Sequence, residues 1–173
     1  MKRTNNGHGA RGRPLYEIRK SNIQGKGVFA ARRIRPGQKI VEYTGEKITN
    51  DEADRRYDED KMKRHHTFLF TLDDDYCIDG DVPGNRAKLI NHSCDPNCEA
   101  IIEDDRIWIY ALKNIQPGVE LAYDYQYERT GDNIAELEKF YVCHCGSDRC
   151  RGSIMAPPKK RKRKKPKGKR AKR

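Results

Sequence analysis

A chain of 173 residues has room for one compact domain with its own core and none for a second of similar size. Its net charge of +11 sits at the ends: residues 1–13 carry four Lys/Arg and residues 157–173 carry twelve, with no acid in either, while residues 14–156 hold 21 Lys/Arg against 26 Asp/Glu. This division argues against a uniformly basic nucleic-acid binder and points to a cationic substrate for the acidic body and a polyanion for the tails.

No apolar run approaches the roughly 18 residues of a membrane span, and Met1 to Pro14 has no apolar stretch of the signal-peptide kind. A soluble intracellular chain with no membrane partner is expected. In a reducing compartment its six cysteines are better explained as metal ligands or buried thiols than as disulfides.

The body begins β-rich. Leu15–Ile18, Gly27–Ala30 and Lys39–Tyr43 read as short strands, punctuated by Gly25, Gly27, the Arg35-Pro36-Gly37 turn and Gly45. Thr49-Asn50 is placed to cap a charged surface helix from Asp51 to about Arg64, acidic in its first turn and basic in its last. Phe68–Leu72 and Tyr76–Asp79 flank Asp73-Asp74-Asp75 as a hairpin, and Glu99–Glu103 and Arg106–Leu112 flank Asp104-Asp105 as another. Between the hairpins, Ala87, Leu89 and Ile90 suit a short helical turn. Gln116-Pro117-Gly118 repeats the earlier turn chemistry, Glu120–Tyr125 is a further strand, and a short helix is expected around Ile134 to Phe140. Residues 159–173 can bury nothing and read as disordered when free, as does the polar, Gly-rich segment 1–13.

Two stretches carry chemistry. Asn91-His92-Ser93-Cys94-Asp95-Pro96-Asn97-Cys98 concentrates two thiols, an imidazole and two amides, and Pro96 keeps Asp95 out of the helical region, so a loop is expected. Near the C-terminus, Cys143, Cys145 and Cys150 form a C-x-C-x4-C cluster. A structural zinc site needs four thiolate or imidazole ligands, so three are local and the fourth is Cys94, Cys98, Cys77 or a histidine. Cys94 is preferred, because a tie from the cluster to the histidine loop would close a cleft.

Taken together, Gly25-Lys26-Gly27-Val28-Phe29, Tyr43-Thr44-Gly45, Gly84-Asn85, Asn91-His92-Ser93-Cys94-Asp95-Pro96-Asn97, Glu120–Tyr125 and the terminal cysteines resemble, in order and spacing, the SET-domain protein-lysine methyltransferases. The resemblance runs from about Tyr16 to Ile154. It implies a mainly β, β-rich α+β fold of small curved sheets with short helices, in which the Asn91-His92 and Tyr125 segments cross as a pseudoknot. It divides the chain into a basic tail (1–13), a catalytic domain (14–127), a zinc-binding post-SET segment (128–156) and a second basic tail (157–173). S-adenosylmethionine would contact Gln24, Gly25, Lys26, Gly27, Phe68, Asn91, His92 and His144, and Tyr125 would align the amine with Tyr123 beside it. Cys94, Cys143, Cys145 and Cys150 would hold zinc. Phe68 stands where the family often has tyrosine, and Lys88 where many members have arginine.

The implied activity is methyl transfer to lysine in a histone tail or histone-like basic protein, stopping at mono- or dimethylation. A monomer at chromatin in a nucleus is expected, with a bacterial nucleoid or secretion into a host nucleus as alternative settings. Pro157 to Arg173 reads as a nuclear-import signal or a nucleic-acid tether. Two competing readings remain: a non-catalytic zinc module that binds nucleic acid or chromatin, against which the acidic body argues, and a hydrolase using Cys94 or Cys98 with His92, which lacks an oxyanion-forming glycine loop.

Overall fold

The computed structural model describes residues 14–57, 67–129 and 133–158. In chain order the elements begin with β1 (Tyr16–Lys20), β2 (Lys26–Ala30), β3 (Lys39–Tyr43), β4 (Glu46–Thr49) and α1 (Asn50–Arg56). Next come β5 (Leu69–Thr71), β6 (Tyr76–Asp79), a 3₁₀ turn (Arg86–Leu89) and β7 (Asn91–His92). The last are β8 (Cys98–Glu103), β9 (Arg106–Ala111), β10 (Ala122–Tyr123) and α2 (Ile134–Phe140). They build the small sheets that the family resemblance implies: β1-β2, β3-β9-β8, β4-β6-β5, and a parallel β7-β10 pair.

Local chemistry accounts for the hairpins. Asp104 and Asp105 both adopt positive φ (50° and 58°), the conformation a two-residue loop needs to match strand twist, and aspartate tolerates it better than most residues. In the β5–β6 loop Asp73 Oδ1 accepts from the amides of Asp75 (2.9 Å) and Tyr76 (2.8 Å). The two Pro-Gly turns do equivalent work, since the amide of Gly37 reaches the carbonyl of Ala111 and that of Gly118 reaches the carbonyl of Ala30. Between the sheets lie Val28, Ile34, Ile90, Ile107, Ile109, Ile115 and Leu121, each no more than 2% exposed. Burying one such side chain contributes about 1.5–3 kcal/mol.

Several elements differ from the sequence expectation. β4 was hidden between the glycine turn and the helix cap; only Ile48 is buried, so no alternation announces it. The surface helix, capped by Thr49 as expected, ends at Arg56, where the Tyr57 amide bonds back to Ala53; the rest of its expected span, 58–64, lies outside the described residues. Finally, the Glu120–Tyr125 strand shrinks to Ala122–Tyr123, because the Asn97 side chain occupies a strand partner's place. Its amide donates to the Glu120 carbonyl (2.7 Å) and accepts from the Ala122 amide (2.9 Å), and Gln126 at φ 52° turns the chain away. Among the described residues no helix is long and apolar enough to cross a membrane.

Gly84 illustrates how closely the backbone packs before the 3₁₀ turn. A Cβ there would overlap the carbonyl oxygen of Gly80, and backbone cannot swing aside as a flexible side chain can. Gly84→Ala should therefore lower stability by at least about 2 kcal/mol in chemical denaturation; an unchanged midpoint would contradict so tight an approach.

Candidate active site and cysteine centre

β7 and β10 run parallel, pairing Asn91 with Ala122 and His92 with Tyr123. The first two residues of the expected loop are thus strand, its last, Cys98, opens β8, and only Ser93–Asn97 is irregular. His92 is 4% exposed. Its Nδ1 accepts from the Tyr125 amide at 3.1 Å, and its Nε2 lies 3.3 Å from Cys94 Sγ. Burial pushes the imidazole down to about 4, with Asp124 opposing and Arg151 assisting, so the ring is neutral near pH 7. A neutral ring accepting at Nδ1 carries its proton on Nε2, which points that donor at the thiol. His92 therefore links Tyr125 to Cys94, and this protonation leaves it no base's role.

Beside this pair opens a cavity of about 510 Å³. Gln24, Gly25, Lys26, Phe68 and Asn91 line it together with Tyr123 and Tyr125. Sequence reasoning did not place Tyr43, Phe70 and Tyr127 there, and they complete an aromatic wall. Ring centroids are 4.9 Å apart for Tyr123–Tyr125, 6.0 Å for Phe70–Tyr123 and 6.1 Å for Tyr125–Tyr127. The hydroxyls differ in their partners: Tyr43 donates to the Phe68 carbonyl (2.6 Å) and Tyr125 to the Ile90 carbonyl (2.8 Å), whereas that of Tyr123 has no hydrogen-bond partner among the described residues. Burial raises the phenols of Tyr123 and Tyr125 above their ordinary value, so neither is a phenolate near neutrality. Lys88 stacks over Phe68 at 4.8 Å and pairs with Asp81 at 2.5 Å, so its charge is matched within the protein.

The loop leading into β2 is held from beneath. Asn91 Nδ2 donates to Glu120 Oε1 (2.7 Å) and approaches Ser21 Oγ (3.1 Å) and the carbonyls of Lys26 (3.3 Å) and Gln24 (3.4 Å). Ser21 Oγ donates to Glu120 (2.8 Å) and accepts from the Ile23 amide (2.9 Å). Gly27 is not among the residues lining this cavity; Glu120 fills the space its side chain would take. Nothing in the sequence distinguished Glu120 from an ordinary strand residue.

Cys94, Cys143, Cys145 and Cys150 converge, their Sγ atoms all within 4.8 Å of one another, and Cys94 lies 3.7 Å from Cys143. Four sulfurs about 2.3 Å from a tetrahedral ion stand about 3.8 Å apart, so the donor set and spacing both suit zinc. The amide of Arg151 points at Cys94 Sγ and that of Gly152 at Cys150 Sγ, each at 3.4 Å, which favours thiolates. Cys98 and Cys77 lie elsewhere, in apolar surroundings; burial pushes the Cys98 thiol up to about 12. A second tie accompanies the cysteines, because Arg151 grips Asp124 with two bonds of 2.7 and 2.8 Å, next to Tyr125. Met155, fully buried, bridges to Tyr127. Between Cys143 and Cys145, His144 meets Gln24, Asn91, His92 and Tyr125 around a recess of about 80 Å³.

Residues 25–126 match the family model described as the SET domain. Among similar curated proteins, the histone-lysine N-methyltransferase trr of Drosophila melanogaster is 38% identical over 138 residues, 78% of this chain and 6% of its own length. The histone-lysine N-methyltransferase, H3 lysine-4 specific, of Mycosarcoma maydis is 37% identical over 137 residues, covering 76% and 9%. The histone-lysine N-methyltransferase ATX2 of Arabidopsis thaliana is 36% identical over 141 residues, covering 78% and 12%. The chain thus spans about an eighth or less of the length of these relatives.

The sulfur geometry generates a direct expectation. Metal analysis should find one zinc per chain, lost in Cys94→Ser and retained in Cys98→Ser; the reverse pattern would remove Cys94 from the ligand set.

Proposed function

The chain belongs to the SET-domain family, and on that premise we propose that it is a protein-lysine N-methyltransferase acting on a basic protein. The observation that carries this reading is one cavity lined both by the Gln24–Lys26 loop with Asn91 and by Tyr123 and Tyr125. Its volume of about 510 Å³ lies in the range typical of small-molecule sites. S-adenosylmethionine, when bound, supplies an electrophilic methyl group. Gln24, Gly25, Lys26, Phe68, Asn91, His92 and His144 would hold it, with Gly27 acting indirectly by admitting Glu120 beneath the loop. We assign 14–127 to the catalytic unit and 128–156 to the post-SET segment, closed by zinc on Cys94, Cys143, Cys145 and Cys150.

Attack requires a neutral amine, and at pH 7 the ~3.4-unit gap to lysine's ordinary pKa costs about 4.6 kcal/mol. The aromatic wall offsets part of this by excluding water from the ammonium form. The neutral phenol of Tyr125, fixed through Ile90 and through the His92 bond to its own amide, orients the amine rather than deprotonating it.

The names of the relatives favour a histone, and one of them histone H3 at lysine 4. The acidic body is compatible with such a cationic tail. We place the enzyme at chromatin in a nucleus, acting as a monomer, with the basic ends serving as an import signal or a tether to nucleic acid. Calorimetry of S-adenosylmethionine with the full chain, followed by mass spectrometry of treated histones, tests the reading: micromolar binding and 14-Da increments on lysine are expected, and no binding would overturn it.

Product multiplicity turns on Tyr123. Its hydroxyl, without a hydrogen-bond partner among the described residues, occupies space beside Tyr125 and would hold the amine or a water, hindering a methylated amine from turning its lone pair to the donor. The enzyme should therefore stop at mono- or dimethylation. Tyr123→Phe should raise the highest methylation state by one with activity preserved, and Tyr125→Phe should lower turnover tenfold or more at every state. Mass spectra of peptide products over time decide; wild-type trimethylation as the main product, or an unchanged distribution in Tyr123→Phe, would exclude this role.

A further inference from the structure

A second opening, of about 640 Å³, lies on the outer side of the Gln24–Lys26 loop. Its floor is Ile18 and Leu89, and its walls carry Arg19, Lys20, Lys26 and Arg86 with no carboxylate among the lining residues. All four cations are exposed. Arg19 is paired with Glu17, but the side chains of Lys20, Lys26 and Arg86 have no hydrogen-bond or ion-pair partner among the described residues. Lys20 stands directly across the β1–β2 ladder from Lys26. Like charges so placed, with Cβ atoms about 5 Å apart, are destabilising. This strip sits on a body with five more acids than bases, where most basic side chains that have partners meet nearby carboxylates. Residues 1–13, with four further cations, lead directly into β1.

We infer that this trough is a docking surface for the sugar-phosphate backbone of duplex nucleic acid. The proposal is independent of the methyl-transfer reading. A cationic substrate would be repelled here, whereas a duplex presents a charge about every 1.7 Å along its axis and releases counterions as lysine and arginine neutralise its phosphates. The walls hold no aromatic ring on which an unpaired base could stack, which favours contact to the phosphate backbone of a duplex over capture of single-stranded bases. The trough shares Gly25, Lys26 and Leu89 with the main cavity, so a bound duplex would run past the cavity's mouth.

The test uses the full chain, a fluorescein-labelled 20-base-pair DNA duplex and anisotropy between 50 and 200 mM salt. Lys20→Ala/Arg86→Ala changes two residues that line no part of the main cavity. Loss of two phosphate contacts should flatten the log-log salt slope by about 1.8, so that the affinity ratio between the two salt concentrations falls roughly tenfold. Each single variant should give about half the change in slope, with the thermal transition and turnover on a free peptide unchanged. An unaltered slope would show that the charged ends alone hold the duplex and would overturn the proposal. An equal loss of affinity for polyglutamate would overturn it in favour of an acidic protein surface.

Discussion

The functional half of this molecule depends on the two nitrogens of His92. One accepts from the amide of Tyr125 and the other faces the sulfur of Cys94, so a single buried ring joins the aromatic wall to the cysteine centre. Only a neutral imidazole with its proton on Nε2 satisfies both contacts, and burial maintains that state. Around this ring the parallel β7-β10 pair, the Asn97 clip and the Arg151–Asp124 bonds fix the same crossing from other directions. The irregular segments between short strands thereby become a rigid site, which hydrogen bonding to buried polar groups supports better than loop backbone alone.

Charge is apportioned along the same lines. Most cations of the body that have partners meet carboxylates, as Lys39 does with Glu103, Arg56 with Glu46, and Arg106 with Glu42. Exposed pairs of this kind contribute little and do not explain the fold; among the described residues, Lys20, Lys26 and Arg86 beside the loop at Gln24 have no such carboxylate. On the proposed reading, a lysine-bearing substrate and a polyanion would otherwise compete for one surface.

Much of this was legible in the residues. The Asp-rich loops at 73–75 and 104–105 located two hairpins, Thr49-Asn50 located the first helix, and the spacing Cys143-Cys145-Cys150 demanded a fourth ligand that Cys94 is positioned to provide. What stayed hidden has a common physical origin. Glu120 and Ser21 act through partners 29 to 99 residues away, so no local pattern reveals their carboxylate-hydroxyl-amide cluster beneath the loop. The shortened β10 reflects a side chain standing in for a strand, and Tyr43, Phe70 and Tyr127 reach the cavity from elements separated in sequence. Propensity reports on neighbours along the chain, and these features depend on neighbours in space.

The central claim is that the cysteine centre, through Cys94 and His92, holds the segment carrying Tyr125 in register with the Gln24–Lys26 loop. The most direct measurement is a graded chelation of the full chain, following zinc release, S-adenosylmethionine affinity by calorimetry and the β-sheet signal by circular dichroism on the same samples. The account predicts that affinity falls in step with zinc loss while the sheet signal persists, because the hydrophobic core of β3, β8 and β9 does not involve the cysteine centre. Full affinity in zinc-free protein, or loss of the sheets together with the metal, would contradict it.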